Sequence, residues 1–274
     1  MNTKPTLAIF GAVLVVFVPM SIFLDQYVVE AKHSLAIFTV GCYLVWSSYF
    51  SFHYHLQRYS QSYKAIQEDK QFYVLSNFIK SALLLSYSPL AASLLYEVVV
   101  LDKWNVQRIW NLGCLYAIPD FVSLILVKRM AFTTVCHHVC VVIFMFVSLQ
   151  NDYQTDGICQ SIVIYAIFSD FAYLVNLLLA SRFMNIDSSL SMYLSIFAGL
   201  IYFVCCCINW SWQVGYLKKL IFAGLWSVYL YIPMLAVIIR DDLVLLKWLY
   251  DNAKKKRSQV GVPTSVNGDS NKKK

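Results

Sequence analysis

The chain has 274 residues, of which 59% are apolar and only 14% carry a formal charge. Soluble domains have about 45–50% apolar and about 25% charged residues, so this composition excludes an ordinary soluble domain. An aromatic content of 16% also excludes a disordered chain, because disordered segments lack the apolar side chains that form a core. The composition is typical of a protein that crosses a membrane several times.

Apolar stretches long enough to span a membrane as helices, which takes about 20 residues, occur along nearly the whole chain. In order, the eight stretches are Leu7 to Leu24, Ser34 to His53, Phe78 to Val100, Trp110 to Val127, Ala131 to Leu149, Ile158 to Ala180, Leu190 to Cys207 and Leu220 to Ile239. Because these runs are continuous, the sequence predicts an all-α transmembrane bundle of seven or eight helices. The first stretch is longer than the core of a signal peptide and is interpreted as a retained helix.

The polar segments between the apolar stretches set the predicted boundaries between the regions of the chain. Residues 1–33 form an N-terminal helix and loop, 34–250 form the main membrane domain, and 251–274 form a disordered basic cytoplasmic tail. Tyr54 to Asn77 is the only long polar connection.

With the N-terminus in the cytoplasm, most Lys and Arg residues fall on the cytoplasmic side. The net charge of +7 then records topology and does not indicate a nucleic-acid partner.

Ionisable residues inside the predicted spans are the candidates for function, because each costs roughly 2.5–3.5 kcal/mol at the bilayer centre on insertion scales. Asp120, His137, His138 and Asp170 lie near the middle of three consecutive stretches. Lys80 lies nearer the end of its stretch, where a long side chain reaches the interface, and is interpreted as a structural anchor.

A histidine beside a carboxylate can act as a general base, and Asp120 or Asp170 could supply that carboxylate. The alternative is that these side chains only join one helix to another by hydrogen bonds. No metal is predicted. The five histidines are too few for a membrane di-iron enzyme, although a zinc site at His137 and His138 stays open. Adjacent histidines lack the i, i+4 spacing that places two ligands on one helix face.

The order of these residues resembles the TLC domain, a family named for the TRAM, Lag and CLN proteins. That family's pattern is an aspartate in one helix, a short basic turn, paired histidines in the next helix, and a later polar helix ending in an asparagine. The matching residues are Leu112-Gly113-Cys114-Leu115-Tyr116-Ala117-Ile118-Pro119-Asp120-Phe121, Lys128-Arg129-Met130, His137-His138, Asn176 and Arg182. The resemblance covers about Cys42 to Tyr250.

One branch of that family, the ceramide synthases, joins the acyl group of acyl-CoA to a sphingoid-base amine. Similarity to this branch implies a histidine base and entry of acyl-CoA near Lys128 and Arg129. The chain departs from that branch's later signature, in which a histidine precedes an aspartate and a second aspartate follows. Here Ser169 precedes Asp170, and Tyr173 stands at the second position.

The other branch is linked to membrane lipid composition, lipid sensing or lipid trafficking, and this chain resembles it more closely. The resemblance implies a protein of lipid homeostasis that binds a long-chain acyl lipid in an intramembrane cavity lined by Asp120, His137, His138 and Asp170. The alternative is an acyl-CoA-dependent N-acyltransferase whose partners are a sphingoid base and fatty acyl-CoA. No resident cofactor is expected. The endoplasmic reticulum membrane is the expected location, with the plasma membrane as the alternative, and the oligomeric state stays open.

Overall fold

The computed structural model describes residues 18–183 and 187–260, and these residues form an all-α protein without a β-strand. Residues 18–23 are helical and lead into a π-helical turn, Leu24–Val28. The main helices are α1 (Ser34–Tyr59), α2 (Glu68–Val99), α3 (Val106–Leu126), α4 (Phe132–Ser148), α5 (Ile158–Ser169), α6 (Tyr173–Ser181), α7 (Ser188–Phe222) and α8 (Ser227–Val260). The predicted helical class is confirmed.

Among residues 18–183 and 187–260, five helical segments are long and apolar enough to cross a membrane: α1, α2, α3, the segment Ile158–Ser181 that contains α5 and α6, and α7. Helix α4 is apolar but has only 17 residues. Large apolar side chains such as Tyr43, Leu44, Leu200 and Phe203 are exposed on α1 and α7. Such outward apolar faces suit a lipid environment, and the protein is an integral membrane protein. The first predicted span, Leu7 to Leu24, lies mostly outside the described residues.

Two polar segments are helical where the sequence predicted a loop or disorder. The connection predicted from Tyr54 to Asn77 comprises only residues 60–67 in the structure. These residues include a one-turn helix, Gln61–Lys64. Glu68 and Asp69 open α2, where carboxylates interact favourably with the helix dipole. At the other end, α8 continues through the predicted tail to Val260, while residues 261–274 lie outside the described part.

A short 3₁₀ turn, Asp170–Ala172, separates α5 from α6 inside the span that the sequence predicted as one helix. A 3₁₀ interruption in a helix often marks a functional or strained position. Asp170 is buried at this turn, with 7% of its surface exposed.

Helix α2 packs against α1, α3 and α6, and α7 packs along α8. Helix α3 is the most enclosed of the spans. It also packs against α4, to which residues 127–131 connect it. A connection this short makes two helices antiparallel neighbours, so the middles of α3 and α4 lie side by side.

Candidate functional site

The side chains of Asp120, His137 and His138 meet between α3 and α4, where one ligating atom from each lies within 4.8 Å of the other two. Asp120 is fully buried and His138 is 7% exposed. The Nδ1 atom of His138 lies 2.9 Å from Oδ1 of Asp120. The rings of the two histidines are nearly perpendicular, with their centroids 5.7 Å apart.

Lys80 completes this group from α2, since its Nζ lies 2.5 Å from Oδ1 of Asp120. The interpretation of Lys80 as an anchor reaching to the interface is wrong, because its side chain is only 12% exposed and turns into the bundle. Asp120 explains the inward turn, since an ammonium group buried in a protein requires a charge partner.

Helix α8 contributes two further acidic residues that the sequence interpretation missed. Oδ2 of Asp241 lies 3.5 Å from Nδ1 of His137, and Asp241 is 7% exposed. The predicted last span ended at Ile239, one residue before Arg240, and so left both aspartates outside the membrane. The apolar residues that resume at Leu243 were the signal that the acidic pair lies within a longer helix. We name Lys80, Asp120, His137, His138 and Asp241 the polar centre.

Asp242, the neighbour of Asp241, has a separate structural role. Its carboxylate accepts hydrogen bonds from the hydroxyls of Tyr165 and Tyr202, the latter at 2.6 Å, and from Nε1 of Trp210 at 3.4 Å. These donors lie on α5 and α7. Asp242 therefore joins α8 to both helices and fixes the rotation that turns Asp241 toward His137.

Several polar atoms at this site are buried and have no hydrogen-bond partner among the described residues. They are Oδ2 of Asp120, Nδ1 of His137, Nδ1 of His138 and Oδ1 of Asp170. The 2.9 Å contact between His138 and Asp120 thus lacks the alignment of a hydrogen bond. An unpartnered buried polar group costs about 1–3 kcal/mol, so native proteins rarely keep several together without a ligand, ion or water.

Two cavities meet at the polar centre. The apolar cavity has a volume of about 720 Å³ and is lined by side chains such as Leu94, Leu112, Val141 and Phe144. The polar cavity has a volume of about 1220 Å³ and contains Lys80, His137, His138 and Asp241. Three residues line both cavities: Tyr116, His137 and Ser169.

Asp170 lines the apolar cavity together with His137. Within residues 18–183 and 187–260, no lysine, arginine or histidine nitrogen lies within 4 Å of the Asp170 carboxylate. The structure therefore does not bring Asp170 into contact with the histidine pair, although both border the same cavity.

Lys128 and Arg129 lie apart from both cavities. They line a different pocket with His53, Glu68 and other residues at the ends of α1 and α2. The guanidinium of Arg129 pairs with Asp69 at 2.6 Å and is 75% exposed. The structure places this basic pair at the bundle surface, away from the polar centre.

Arg182, the last residue of the matching pattern, lines the polar cavity together with Asn176. Its guanidinium lies 5.2 Å from the ring of Tyr73, 4.7 Å from that of Phe183 and 5.8 Å from that of Trp248. It also donates a hydrogen bond to the Tyr73 hydroxyl at 3.2 Å. Arg182 is thus a cation held by aromatic rings at the border of the polar cavity.

Comparison of the chain with models of protein families, with curated proteins and with solved structures finds no match. The similarity to the TLC domain therefore depends only on the residues quoted for it.

Proposed function

We propose that this membrane protein binds a long-chain acyl lipid, with the chain in the apolar cavity and the polar end at the polar centre. The observation that carries this proposal is the junction of the two cavities at Tyr116, His137 and Ser169. A lipid has one apolar and one polar part, and this arrangement offers a matching environment to each.

The chemistry of the apolar cavity agrees with this proposal. Its lining is mostly apolar, as is usual for small-molecule sites. Such sites combine an apolar lining with a few convergent polar groups. The unpartnered atoms of His137 and Asp170 at its border supply such groups.

Gly113 provides a direct test, because it lines the apolar cavity and a Cβ added there would meet no atom within 4 Å. Gly113→Leu adds about four carbons to that space, so an acyl chain of the original length no longer fits. The substitution also raises helix propensity by roughly 1 kcal/mol, so lost binding cannot be ascribed to a weaker helix. Gly215→Leu is the matched control, because Gly215 also has open space but lies on α7 outside both cavities.

The experiment measures the lipids that remain bound to the detergent-purified chain by mass spectrometry, together with crosslinking by a photoactivatable fatty-acid probe. We expect Gly113→Leu to lose the bound lipid or to retain only shorter chains, and Gly215→Leu to match the wild type. Equal lipid content and chain length in all three proteins would refute lipid binding in this cavity.

The contact between His138 and Asp120 favours a second candidate, N-acyl transfer from acyl-CoA. In that reaction the amine nitrogen of a sphingoid base attacks the thioester carbonyl. His138 accepts the amine proton, and the CoA thiolate leaves. A carboxylate 2.9 Å from the ring supports this role, because it stabilises the imidazolium that forms.

An assay of the purified protein with acyl-CoA and a sphingoid base tests this candidate. Product formation that is lost in His138→Ala supports it. Absence of product from the wild type, or full activity of His138→Ala, refutes it and leaves binding without catalysis.

We place the protein in lipid homeostasis at the endoplasmic reticulum membrane, as the resemblance implies. Lipid profiling of cells that lack it separates the two candidates. A missing ceramide species supports synthesis, whereas a changed phospholipid composition with normal ceramides supports binding or transport. Co-localisation of the tagged full chain with a plasma-membrane marker would contradict the proposed organelle.

A further inference from the structure

We propose that the polar centre binds one divalent transition-metal ion, with zinc as the best match, through Asp120, His137, His138 and Asp241. This proposal goes beyond lipid binding and does not depend on it. It also goes beyond the expectation from the sequence, which named no metal and left a zinc site at His137 and His138 open, because adjacent histidines lack the i, i+4 spacing of two ligands on one helix face. That argument considered only one helix, whereas the structure adds a carboxylate from the helix on either side.

Asp120, His137 and His138 have the ligand types and separations that a metal site requires, and Asp241 adjoins them through His137. Zinc binds imidazole nitrogen and carboxylate oxygen at about 2.0–2.2 Å, so neighbouring ligands in a tetrahedral site lie roughly 3.3 Å apart. Nδ1 of His138 lies 2.9 Å from Asp120, and Nδ1 of His137 lies 3.5 Å from Asp241. Asp120, His137 and His138 hold their ligating atoms within 4.8 Å of one another.

Three candidate ligating atoms lack hydrogen bonds; for Asp120 this atom is Oδ2, because Oδ1, the oxygen 2.9 Å from His138, already contacts Lys80. Nδ1 of His137, Nδ1 of His138 and Oδ2 of Asp120 are buried and unpartnered among the described residues. Asp120, His138 and Asp241 are each more than nine-tenths buried. A bound ion would satisfy all three unpartnered atoms at once, which a single hydrogen bond between two of them cannot do.

The charges around the site also favour a cation. Four buried carboxylates, those of Asp120, Asp170, Asp241 and Asp242, lie on α3, on α8 and at the 3₁₀ turn. Within the described residues, Lys80 is the one lysine or arginine within 4 Å of any of them. A divalent ion beside Asp120 and Asp241 would stabilise the charged forms of these two carboxyl groups.

Lys80 does not block the site, because it contacts Oδ1 of Asp120 and leaves Oδ2 unpartnered. Its positive charge nevertheless repels a metal ion, and this has a measurable consequence. Lys80→Met should therefore bind the metal more tightly than the wild type. If the centre were only an ion pair, the same substitution would leave Asp120 uncompensated without any gain in metal binding.

The mixed ligand set selects the kind of ion. Magnesium and calcium prefer oxygen ligands alone, whereas imidazole suits zinc, iron, copper and nickel. Two imidazole nitrogens with two carboxylate oxygens therefore favour zinc over magnesium. His137 lines both cavities, so the ion would lie next to the space in which a ligand's polar end binds.

The experiment measures metal content by inductively coupled plasma mass spectrometry on the full chain, purified in detergent without chelators. The protein is then stripped with a chelator, reloaded with zinc or with magnesium, and measured again. We expect stoichiometric zinc after reloading, no retained magnesium, and loss of zinc in His138→Asn and Asp241→Asn. Asp69→Asn is the control, because Asp69 pairs with the exposed Arg129 outside the polar centre.

Thermal unfolding of the wild type with and without zinc tests metal binding without any variant, so the test still applies if a variant fails to fold. A metal that binds only the native state raises its melting temperature, and magnesium should not. Substoichiometric zinc after reloading together with an unchanged melting temperature would overturn the proposal. Lipid content measured on the same samples keeps the two proposals separate, because a protein that holds lipid but no metal contradicts only this one.

Discussion

Because Lys80 and Asp120 form a buried ion pair, we expect the removal of one partner to cause a large loss of stability. Removal of the second partner should restore part of that loss. Lys80→Met deletes the ammonium group but keeps an unbranched apolar chain of similar length. Asp120 is then left as a fully buried carboxylate without the cation that lies 2.5 Å from it. Adding Asp120→Asn removes that charge as well.

The expected size follows from the distance and the burial. At an effective dielectric constant of about 20, two unit charges 2.5 Å apart attract by roughly 7 kcal/mol, most of which is offset by the cost of desolvating both groups. Removal of one partner from a buried pair costs about 3–5 kcal/mol, because the other charge stays buried. We expect a loss of about 3 kcal/mol for each single variant but of only about 1 kcal/mol for the double variant, well below the sum of the two single losses.

Equilibrium unfolding in mixed detergent micelles measures these free energies for the wild type, both single variants and the double variant. A chelator is present throughout, so that the comparison concerns the ion pair alone. A double variant that loses as much stability as the two single variants added together would show that the groups do not interact, and would refute this reasoning.

Three further predictions concern other parts of the structure. Gly41→Ala would place a Cβ 2.3 Å from Cδ1 of the buried Ile118 and should cost about 1–3 kcal/mol in unfolding assays. Ile118→Val should restore part of this loss, and purely additive effects would contradict the predicted contact. A hydrogen bond from Lys219 lowers the pKa of Asp156 below its ordinary value of 3.8, so this pair stabilises the protein above that value and the contribution is lost as the pH falls further. Because both groups are largely exposed, Lys219→Met should reduce the stability difference between about pH 6 and about pH 3 by less than ~1 kcal/mol, and an increase would contradict the assignment. Asp242→Asn should cost about 2 kcal/mol in thermal unfolding, because charge-assisted hydrogen bonds are lost, and an unchanged melting temperature would refute its role in holding α8.

The helical class and most spans could be predicted from the sequence because a continuous apolar run admits one backbone solution in lipid. Helix ends could not be predicted in the same way. The bilayer limits only the apolar part of a helix, whereas its hydrogen bonds continue through polar residues. For this reason α8 continues past the basic residues 254–257 and ends at Val260. Helix α2 likewise begins ten residues before the predicted start at Phe78.

The convergence of Asp120 with His137 and His138 could be predicted because a short connection makes α3 and α4 neighbours. Lys80 and Asp241 could not be assigned in this way, since contact across distant helices depends on how each helix is rotated about its axis. Side-chain packing between helices sets that rotation, and a single sequence does not reveal it. The functional roles of these residues stay predictions.

The position of Asp241 on the last helix has a consequence for how the protein is made. Lys80, Asp120 and both histidines are synthesised long before α8. The hydrogen-bond donors Tyr165, Tyr202 and Trp210 also precede their acceptor, Asp242, in the chain. A nascent chain without α8 therefore presents a polar gap between its inserted helices, which lipid cannot satisfy. Docking of α8 supplies Asp241 and Asp242, so the polar contacts between the helices are complete only when the last helix is in place.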